Sequence, residues 1–272
     1  MGKLFIVGTP IGNLADITLR AIETLKQVAL VACEDTRVTR VLLQKYDIKT
    51  PTTSYAEHNK VKALPHLIER LQSADVALVS DAGMPGINDP AYELVNKCIK
   101  SGIEVTVVPG PSAVLSALVA SGLPTDQFTY AGYIPRSAGE RRAFLETALV
   151  ERHTVVLLET PHRLEGSLKD ILEVGGDRHI AVCRELTKLH EEIFRGSVSL
   201  AIAHFQEPRG EFTLVISGKS ASDNVSDETI LGRLKELTSG GKPRSEAVKD
   251  VTNEFKTPRK RAYQLSLRLD KS

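Results

Sequence analysis

The sequence predicts an α/β protein made of two α/β domains followed by a small C-terminal three-helix domain. Strand and helix patterns alternate over the first ~120 residues, which implies a mostly parallel sheet covered by helices. From Phe128 onward the strand patterns sit closer together, which fits a second α/β domain with a mixed sheet. Beyond the polar stretch Lys219 to Val225, read as a linker, three short helical patterns each carry an apolar face. The boundaries expected are 1–122, 123–220 and 226–272.

Taken in order, Leu4 to Val7 reads as a strand entering the loop GTPIGN, Gly8 to Asn13. The next helix is predicted from about Thr18 to Gln27, with Leu19, Ile22 and Leu25 inward. Val28 to Cys33 is a second strand, ending in Glu34, Asp35, Thr36 and Arg37, and α/β sheets place catalytic or substrate groups at such strand ends. Tyr55, Glu57, His58 and Asn59 form a polar loop before a helix carrying Leu64, Leu67, Ile68 and Leu71.

Val76 to Pro90, VALVSDAGMPGINDP, is the stretch around which the chain is organised. Val76 to Val79 has the continuous apolar character of a strand covered on both faces, and Asp81 follows at its end. Gly83 and Gly86 permit positive φ, with Pro85 stiffening the loop between them. Asp89 and Pro90 start a helix whose stripe is Ala91, Leu94, Val95, Cys98 and Ile99. An ordinary βα connection runs ~2–6 residues, so this longer loop reads as one built for binding. Ile103 to Val108 leads to PGPSA, Pro109 to Ala113, and a helix ending at Gly122.

In the second domain, strands are predicted at Thr154 to Leu158, His179 to Cys183, Ile193 to Leu200 and Phe212 to Ile216, with helices around Glu140 to Leu149 and Leu164 to Val174. In the tail, the first helix has Ser226 or Asp227 as cap and Ile230, Leu231, Leu234 and Leu237 as its face; the second carries Ala247, Val248, Val251 and Phe255. The third opens with Thr257 as cap and Pro258 at its first position, then Ala262, Leu265 and Leu269. Arg259, Lys260 and Arg261 crowd the first turn of that helix, against the macrodipole, which favours nucleic-acid contact over the alternative of a solvated basic face. Lys242, Arg244 and Arg268 are further candidates.

The chain has 272 residues, is 42% hydrophobic and carries a net charge of +1. Residues 222–272 hold 11 Lys and Arg against 8 Asp and Glu, so the basic excess belongs to the tail. No apolar run approaches the ~20 residues of a membrane span, and cytoplasm is the expected compartment. Cys33, Cys98 and Cys183 are expected to be buried thiols; the histidines show no metal-binding spacing, and no metal is expected. GTPIGN lacks both the GxGxxG spacing and the Lys of a phosphate loop, and Pro10, Pro85, Pro109 and Pro111 remove backbone donors. Loops of this kind, beside Asp81, suit a neutral base, a ribose or a cationic centre better than a diphosphate.

Seven motifs in this order, GTPIGN, CEDTR, SDAGMPGINDP, PGPSA, ETPHRL, CRELTKLHEE and RGEFTLVISG, resemble the tetrapyrrole methylase superfamily, which binds S-adenosylmethionine. More narrowly they resemble its ribosomal RNA branch, the small-subunit (16S) rRNA (cytidine-2′-O)-methyltransferases that modify a decoding-centre cytidine. Met84 departs slightly, the family more often having Thr there. The resemblance spans residues 3 to about 218, and the basic tail matches that branch. It implies two α/β domains of the tetrapyrrole methylase type with the cofactor cleft between them, a homodimer, and the small ribosomal subunit as partner. Carried over by motif, it places cofactor contacts at Pro10; at Asp81, Ala82, Gly83 and Pro85; at Ser112 and Ala113; at the start of the second domain's first strand near Gly132; and at Glu211 and Phe212.

A ribose 2′-hydroxyl needs its proton removed, or its developing charge stabilised, before it attacks a sulfonium methyl. Candidates are Glu34, Asp35 and Arg37 in CEDTR, and Arg184, Glu185, Lys188, His190 and Glu191 in CRELTKLHEE, a structural ion pair being the alternative role for each. Lys188 serves as a base only if burial lowers its pKa. A porphyrinoid methylase of the same fold would not need residues 222–272, and a protein methylase or a non-catalytic RNA-binding module are further alternatives.

Overall fold

The computed structural model describes residues 1–219, 227–255, 257 and 259–269. Strands β1 (Leu4–Val7), β2 (Leu30–Cys33), β3 (Thr52–Ser54), β4 (Val76–Val79) and β5 (Val105–Val108) form a parallel sheet in the order β3-β2-β4-β1-β5. All four residues of β4 are buried, as expected for a central strand covered on both sides. Pleating sends Ala77 and Val79 to one face, where they meet Ala21 and Leu25 of α1 (Leu19–Gln27) and Leu42 and Leu43 of α2 (Thr36–Lys45). Val76 and Leu78 go to the other face, against Leu67 and Leu71 of α3 (Lys60–Leu71) and Leu94 and Cys98 of α4 (Ala91–Lys100).

The second sheet joins β6 (Phe128–Tyr133), β7 (Thr154–Glu159), β8 (His179–Arg184), β9 (Glu192–Ser197) and β10 (Phe212–Ile216) in the order β6-β7-β10-β8-β9. Only the β6–β7 pair is parallel, so the sheet is mixed, as expected. Helices α6 (Ala138–Ala148), α7 (Pro161–Gly175) and α8 (Val198–His204) cover one face through Leu145, Leu164, Leu168, Val198 and Ala201. The other face is covered by α5 (Ala113–Ser121), which leaves the first sheet and packs Ala117 and Leu118 on Val156, Ala181, Cys183 and Val215.

Four local expectations are corrected. Leu19 is exposed, because α1 buries the small Ala21 and Thr24 beside Leu25 and so rotates Leu19 outward. Ile99 is exposed for the same reason at the end of α4. The strand expected to reach Leu200 stops at Ser197, whose hydroxyl accepts from the Leu200 N–H (3.3 Å) and starts α8. The polar cluster after β2 opens α2, with Asp35 as its N-cap. Ser112, by contrast, caps α5 and Gly122 ends it at φ +76°. All three cysteines are free and buried.

The tail forms α9 (Asp227–Ser239), α10 (Arg244–Phe255) and α11 (Arg259–Ser266) around one core of Ile230, Leu234, Ala247, Val248, Val251, Ala262 and Leu265. Leu231, Leu237, Phe255 and Leu269 complete it, so every apolar position expected of the three helices takes part. Thr257 is buried with its hydroxyl unpaired, so it does not cap α11. The cap expected at Ser226, the linker residues 220–225, Pro258 and the side chain of Lys260 lie outside the described residues. Among the described residues no helix is long and apolar enough to cross a membrane.

A core of this size supplies no more than ~3–5 kcal/mol, and truncating a buried Leu costs ~2–5 kcal/mol. Leu234→Ala is therefore expected to unfold the tail alone. Hydrogen exchange of the full chain checks this: amides of 227–269 lose protection while those of β1, β4 and β10 keep it.

Candidate functional site

The loops at the carboxyl ends of β1, β4 and β5 meet backbone to backbone. Thr9 and Gly83 exchange hydrogen bonds across the first two (2.9 and 3.1 Å), and the Gly8 N–H donates to Val108 O (3.0 Å). A Cβ on Gly8 would lie 2.7 Å from Gly110 Cα, so neither residue has room for a side chain. Gly83, at φ +79°, takes the conformation its motif predicts, as does Gly86 at +96°. Asp89 fixes the loop's far end by accepting from the Gly86 and Ala91 N–H groups (2.8 Å each).

These loops form one wall of a cavity of about 360 Å³, and the ends of β6, β7 and β10 form the other. Of the sequence-predicted contacts, Asp81, Ala82, Gly83, Ser112, Ala113, Glu211 and Phe212 line it. Pro10 lines a smaller adjoining space, while Pro85 and Gly132 line neither. Gly132 lies near the end of β6, not its start, beside a register irregularity. Its φ of +82° and lack of a Cβ leave room for Asn88, whose amide donates to the Tyr130 hydroxyl across the cleft.

Sequence reasoning passed over Asn88, Tyr130, Tyr133, Glu159 and Thr213, all of which line the cavity. Asn88 was detectable: it adopts φ +64°, and Asn is the residue besides Gly most at ease there. Glu159 lies in a motif that was noticed, but its carboxylate is taken up by Arg163 (2.6 Å), the Thr160 N–H (2.7 Å) and the Ser167 hydroxyl.

The candidates from CEDTR separate. Asp35 accepts from the Arg37 N–H (2.8 Å) and pairs with its guanidinium (2.6 Å), which pulls its carboxyl down to about 2. The Arg37 side chain is 86% exposed and reaches solvent rather than the cavity. Glu34 does line the cavity; its backbone carbonyl accepts from the Ser54 hydroxyl (3.4 Å), while its carboxylate accepts from no described residue. Burial, and then the neighbouring charges of Asp81, Asp89 and Asp35, push its carboxyl above the usual range.

The candidates from CRELTKLHEE come together in a tight loop. Glu185 and Thr187 have positive φ (50° and 68°), and the loop is held by Glu191 accepting from the Thr187 N–H (2.6 Å) and Glu185 from the Glu211 N–H (2.9 Å). Lys188 bonds Glu211 (2.8 Å) and Glu185 (3.0 Å), and the Thr187 hydroxyl accepts from the Asn13 N–H (3.0 Å), tying this loop to GTPIGN. Burial alone would lower the Lys188 ammonium, but Glu211 and Glu185 outweigh it and leave it above the ordinary lysine value. In this arrangement the two carboxylates favour the charged form of Lys188. Arg184 turns away to Arg209 O (2.8 Å) and Glu192.

Among the described residues no Lys, Arg or His lines the cavity, whereas Glu34, Asp81, Asp89, Glu159 and Glu211 do. Such a surface suits a ligand with positive charge and repels phosphates. Because folding raises the Glu34 pKa, its contribution to stability is fully present below the unfolded pKa of ~4.3 and lost as pH rises through the folded value. Glu34→Gln is thus expected to raise the melting temperature at pH 7, with the gap closing by pH 4. Calorimetry across that range checks it, and Asp81→Asn shrinks the gap.

Residues 3–201 match the family model of the Tetrapyrrole (Corrin/Porphyrin) Methylases. A protein of Synechocystis sp. named ribosomal RNA small subunit methyltransferase I is 45% identical over 99% of both chains. One of the same name from Thermotoga maritima is 52% identical over its whole length and 80% of this chain. Among solved structures, uroporphyrin-III-C-methyltransferase from Thermus thermophilus superposes with a TM-score of 0.59 at 21% identity, covering 80% of this chain and 94% of that one. Diphthine synthase does so at 0.62 and 14%, covering 79% and 90%. With its two sheets meeting at a shared cavity and its motifs matched from the first strand into the second sheet, this chain belongs to the tetrapyrrole methylase family.

Proposed function

We infer that the protein transfers the methyl group of S-adenosylmethionine to the 2′-hydroxyl of a cytidine in the decoding centre of small-subunit (16S) ribosomal RNA. The observation that carries the cofactor is the cavity itself. Its volume lies in the ~300–1,000 Å³ range of complete ligand sites, and the charged groups that line it among the described residues are all acidic. Asp81, Ala82, Gly83, Ser112, Ala113, Glu211 and Phe212 would hold the cofactor, with Pro10, Pro85 and Gly132 shaping the loops and strand around them. When bound, the cofactor supplies a sulfonium methyl open to attack. The relatives named for ribosomal RNA support the acceptor, at 45% identity over 99% of this chain for the Synechocystis protein and 52% over 80% for that of Thermotoga maritima.

The chain's own groups then divide the work. Glu34, unpaired at the cavity wall and proton-hungry, takes the hydroxyl proton. Lys188, held cationic beside GTPIGN, stabilises the developing alkoxide. Glu185 and Glu191 keep its loop in place. Asp35 starts α2 and orients Arg37, whose exposed guanidinium meets the RNA. The tail recruits the ribosomal subunit. Arg259 is exposed, Arg261 is shared with Asp227 (2.7 Å) and Lys242 with Asp250, pairs that phosphates can replace. A homodimer in the cytoplasm is the working form.

Labelled S-adenosylmethionine offered with small ribosomal subunits, a tetrapyrrole and bulk protein tests this: label enters the 16S rRNA as an alkali-resistant 2′-O-methylcytidine. Label in the tetrapyrrole alone would overturn the reading. Gly83→Val, forced into a φ that a β-branched residue resists, is expected to lose cofactor affinity in calorimetry while keeping its fold. A chain ending at residue 219 is expected to keep cofactor affinity, bind subunits more weakly and lose part of the salt dependence, about one unit of log–log slope for each phosphate contact removed.

A further inference from the structure

Regular pleating along β6 would send Tyr133 to the same face as Ala131, into the core shared with α6, α7 and α8. It does not go there. Against β7, Tyr130 pairs with Val156 and Gly132 with Leu157, so Ala131 is an extra residue on β6. A bulge of this kind re-aims the side chains beyond it. Ile134, 1% exposed, takes the core position, and Tyr133 joins Tyr130 in lining the cavity. Gly132 supplies the positive φ at the bulge, and Asn88 ties the bulged strand to the opposite wall through the Tyr130 hydroxyl.

The side chain turned inward in this way is left without a partner. Its hydroxyl makes no hydrogen bond with a described residue. Among the described residues, the large apolar or aromatic side chains that line the cavity and are also exposed are Tyr133, at 53%, and Ile87, at 52%. They belong to opposite walls, Tyr133 to the second sheet and Ile87 to the loop after β4, so the pair marks the mouth. Burial and then Glu211, with Arg163 opposing and Glu159 and Glu34 adding, push the Tyr133 phenol above its ordinary value and keep it neutral. Glu34, and the Glu211 that bonds Lys188, thus lie within electrostatic reach of the ring.

We propose that Tyr133 and Ile87 form a slot for the acceptor nucleotide at the mouth of the cavity, its base stacked on the Tyr133 ring and covered by Ile87. This rests on the RNA reading above. A cofactor that fills the 360 Å³ cavity leaves the mouth for the acceptor, and the mouth is where these two side chains stand. A nucleobase is planar and uncharged, so it gains from an aromatic face and escapes the repulsion that the acidic lining imposes on phosphates. The ring's charged neighbours include Glu34, and Glu211 with its partner Lys188, the groups that act on the hydroxyl. Stacking is indifferent to which base is seated, so the slot positions the nucleotide and does not choose it.

Full-length Tyr133→Ala, Tyr133→Phe and Ile87→Ala variants test the slot. Tyr133→Ala is expected to lower kcat/KM for unmethylated small ribosomal subunits about tenfold, with S-adenosylmethionine affinity in calorimetry as in the native chain. Tyr133→Phe, which keeps the ring, recovers the rate, and Ile87→Ala shows a smaller loss of the same kind. Tyr133→Trp places an indole in a chain that has no tryptophan, and its emission is expected to be quenched when an oligocytidylate binds the protein loaded with S-adenosylhomocysteine. Unchanged kcat/KM in Tyr133→Ala overturns the slot, as does an indole that keeps its emission at saturating RNA. Weaker S-adenosylmethionine binding by Tyr133→Ala overturns it too, giving the ring to the cofactor, and so does a variant whose only change is its state of association. Each of these leaves the proposed function standing, whereas absence of transfer to any ribosomal substrate by the native chain overturns that function itself.

Discussion

Where the loops of the first sheet converge, main chain touches main chain and side chains are excluded. The Gly8–Gly110 contact and the paired bonds between Thr9 and Gly83 draw three loops into a single rigid surface, so their positions are coupled. A side chain at Gly8 would have to displace backbone, not a flexible tip, and the displacement would pass to the Thr9–Gly83 bridge and so to the wall of the cavity. The parallel sheet makes this possible by delivering the ends of β1, β4 and β5 side by side. The cavity, the smaller space behind it and the contact with the 185–191 loop all take their shape from that junction.

The electrostatic design complements the steric one. Among the described residues, positive charge is kept out of the cavity lining and stands outside it, in Lys188, held by two carboxylates, and in Arg37, turned to solvent. A cationic ligand inside and a polyanion outside would each meet complementary charge on a different part of the structure. Neutralising Lys188 through Glu185 and Glu211 has a structural side as well, because the same Glu185 carboxylate accepts the Glu211 N–H and so positions the residue that lines the cavity.

The sequence made the loops legible because their requirements are local. Positive φ at Gly83 and Gly86, Asp89 at the start of a helix and Ser112 as a cap each depend on a few neighbouring residues. The tail's core was legible for the same reason, three helical stripes finding one another. What could not be read is set by tertiary contact. Leu19 faces water because Ala21 lets α1 lie close to the sheet, and no periodicity announces that choice. Lys188 could serve as a base only if burial lowered its pKa, and no sequence pattern shows that two carboxylates from separate parts of the chain favour its charged form instead. The helix after CEDTR hid behind its own cap, since Asp35 read as chemistry before it read as structure.

Helix α5 carries a consequence of a different kind. It is made before any strand of the second sheet, yet its apolar face is buried only by that sheet. On a ribosome adding ~5–20 residues per second, Leu118 waits on the order of 5–20 s for the strand that contains Val215. Over that interval a stripe of Ala117 and Leu118 stands uncovered on an otherwise completed first sheet, a surface on which a chaperone can act and from which a stalled chain would aggregate.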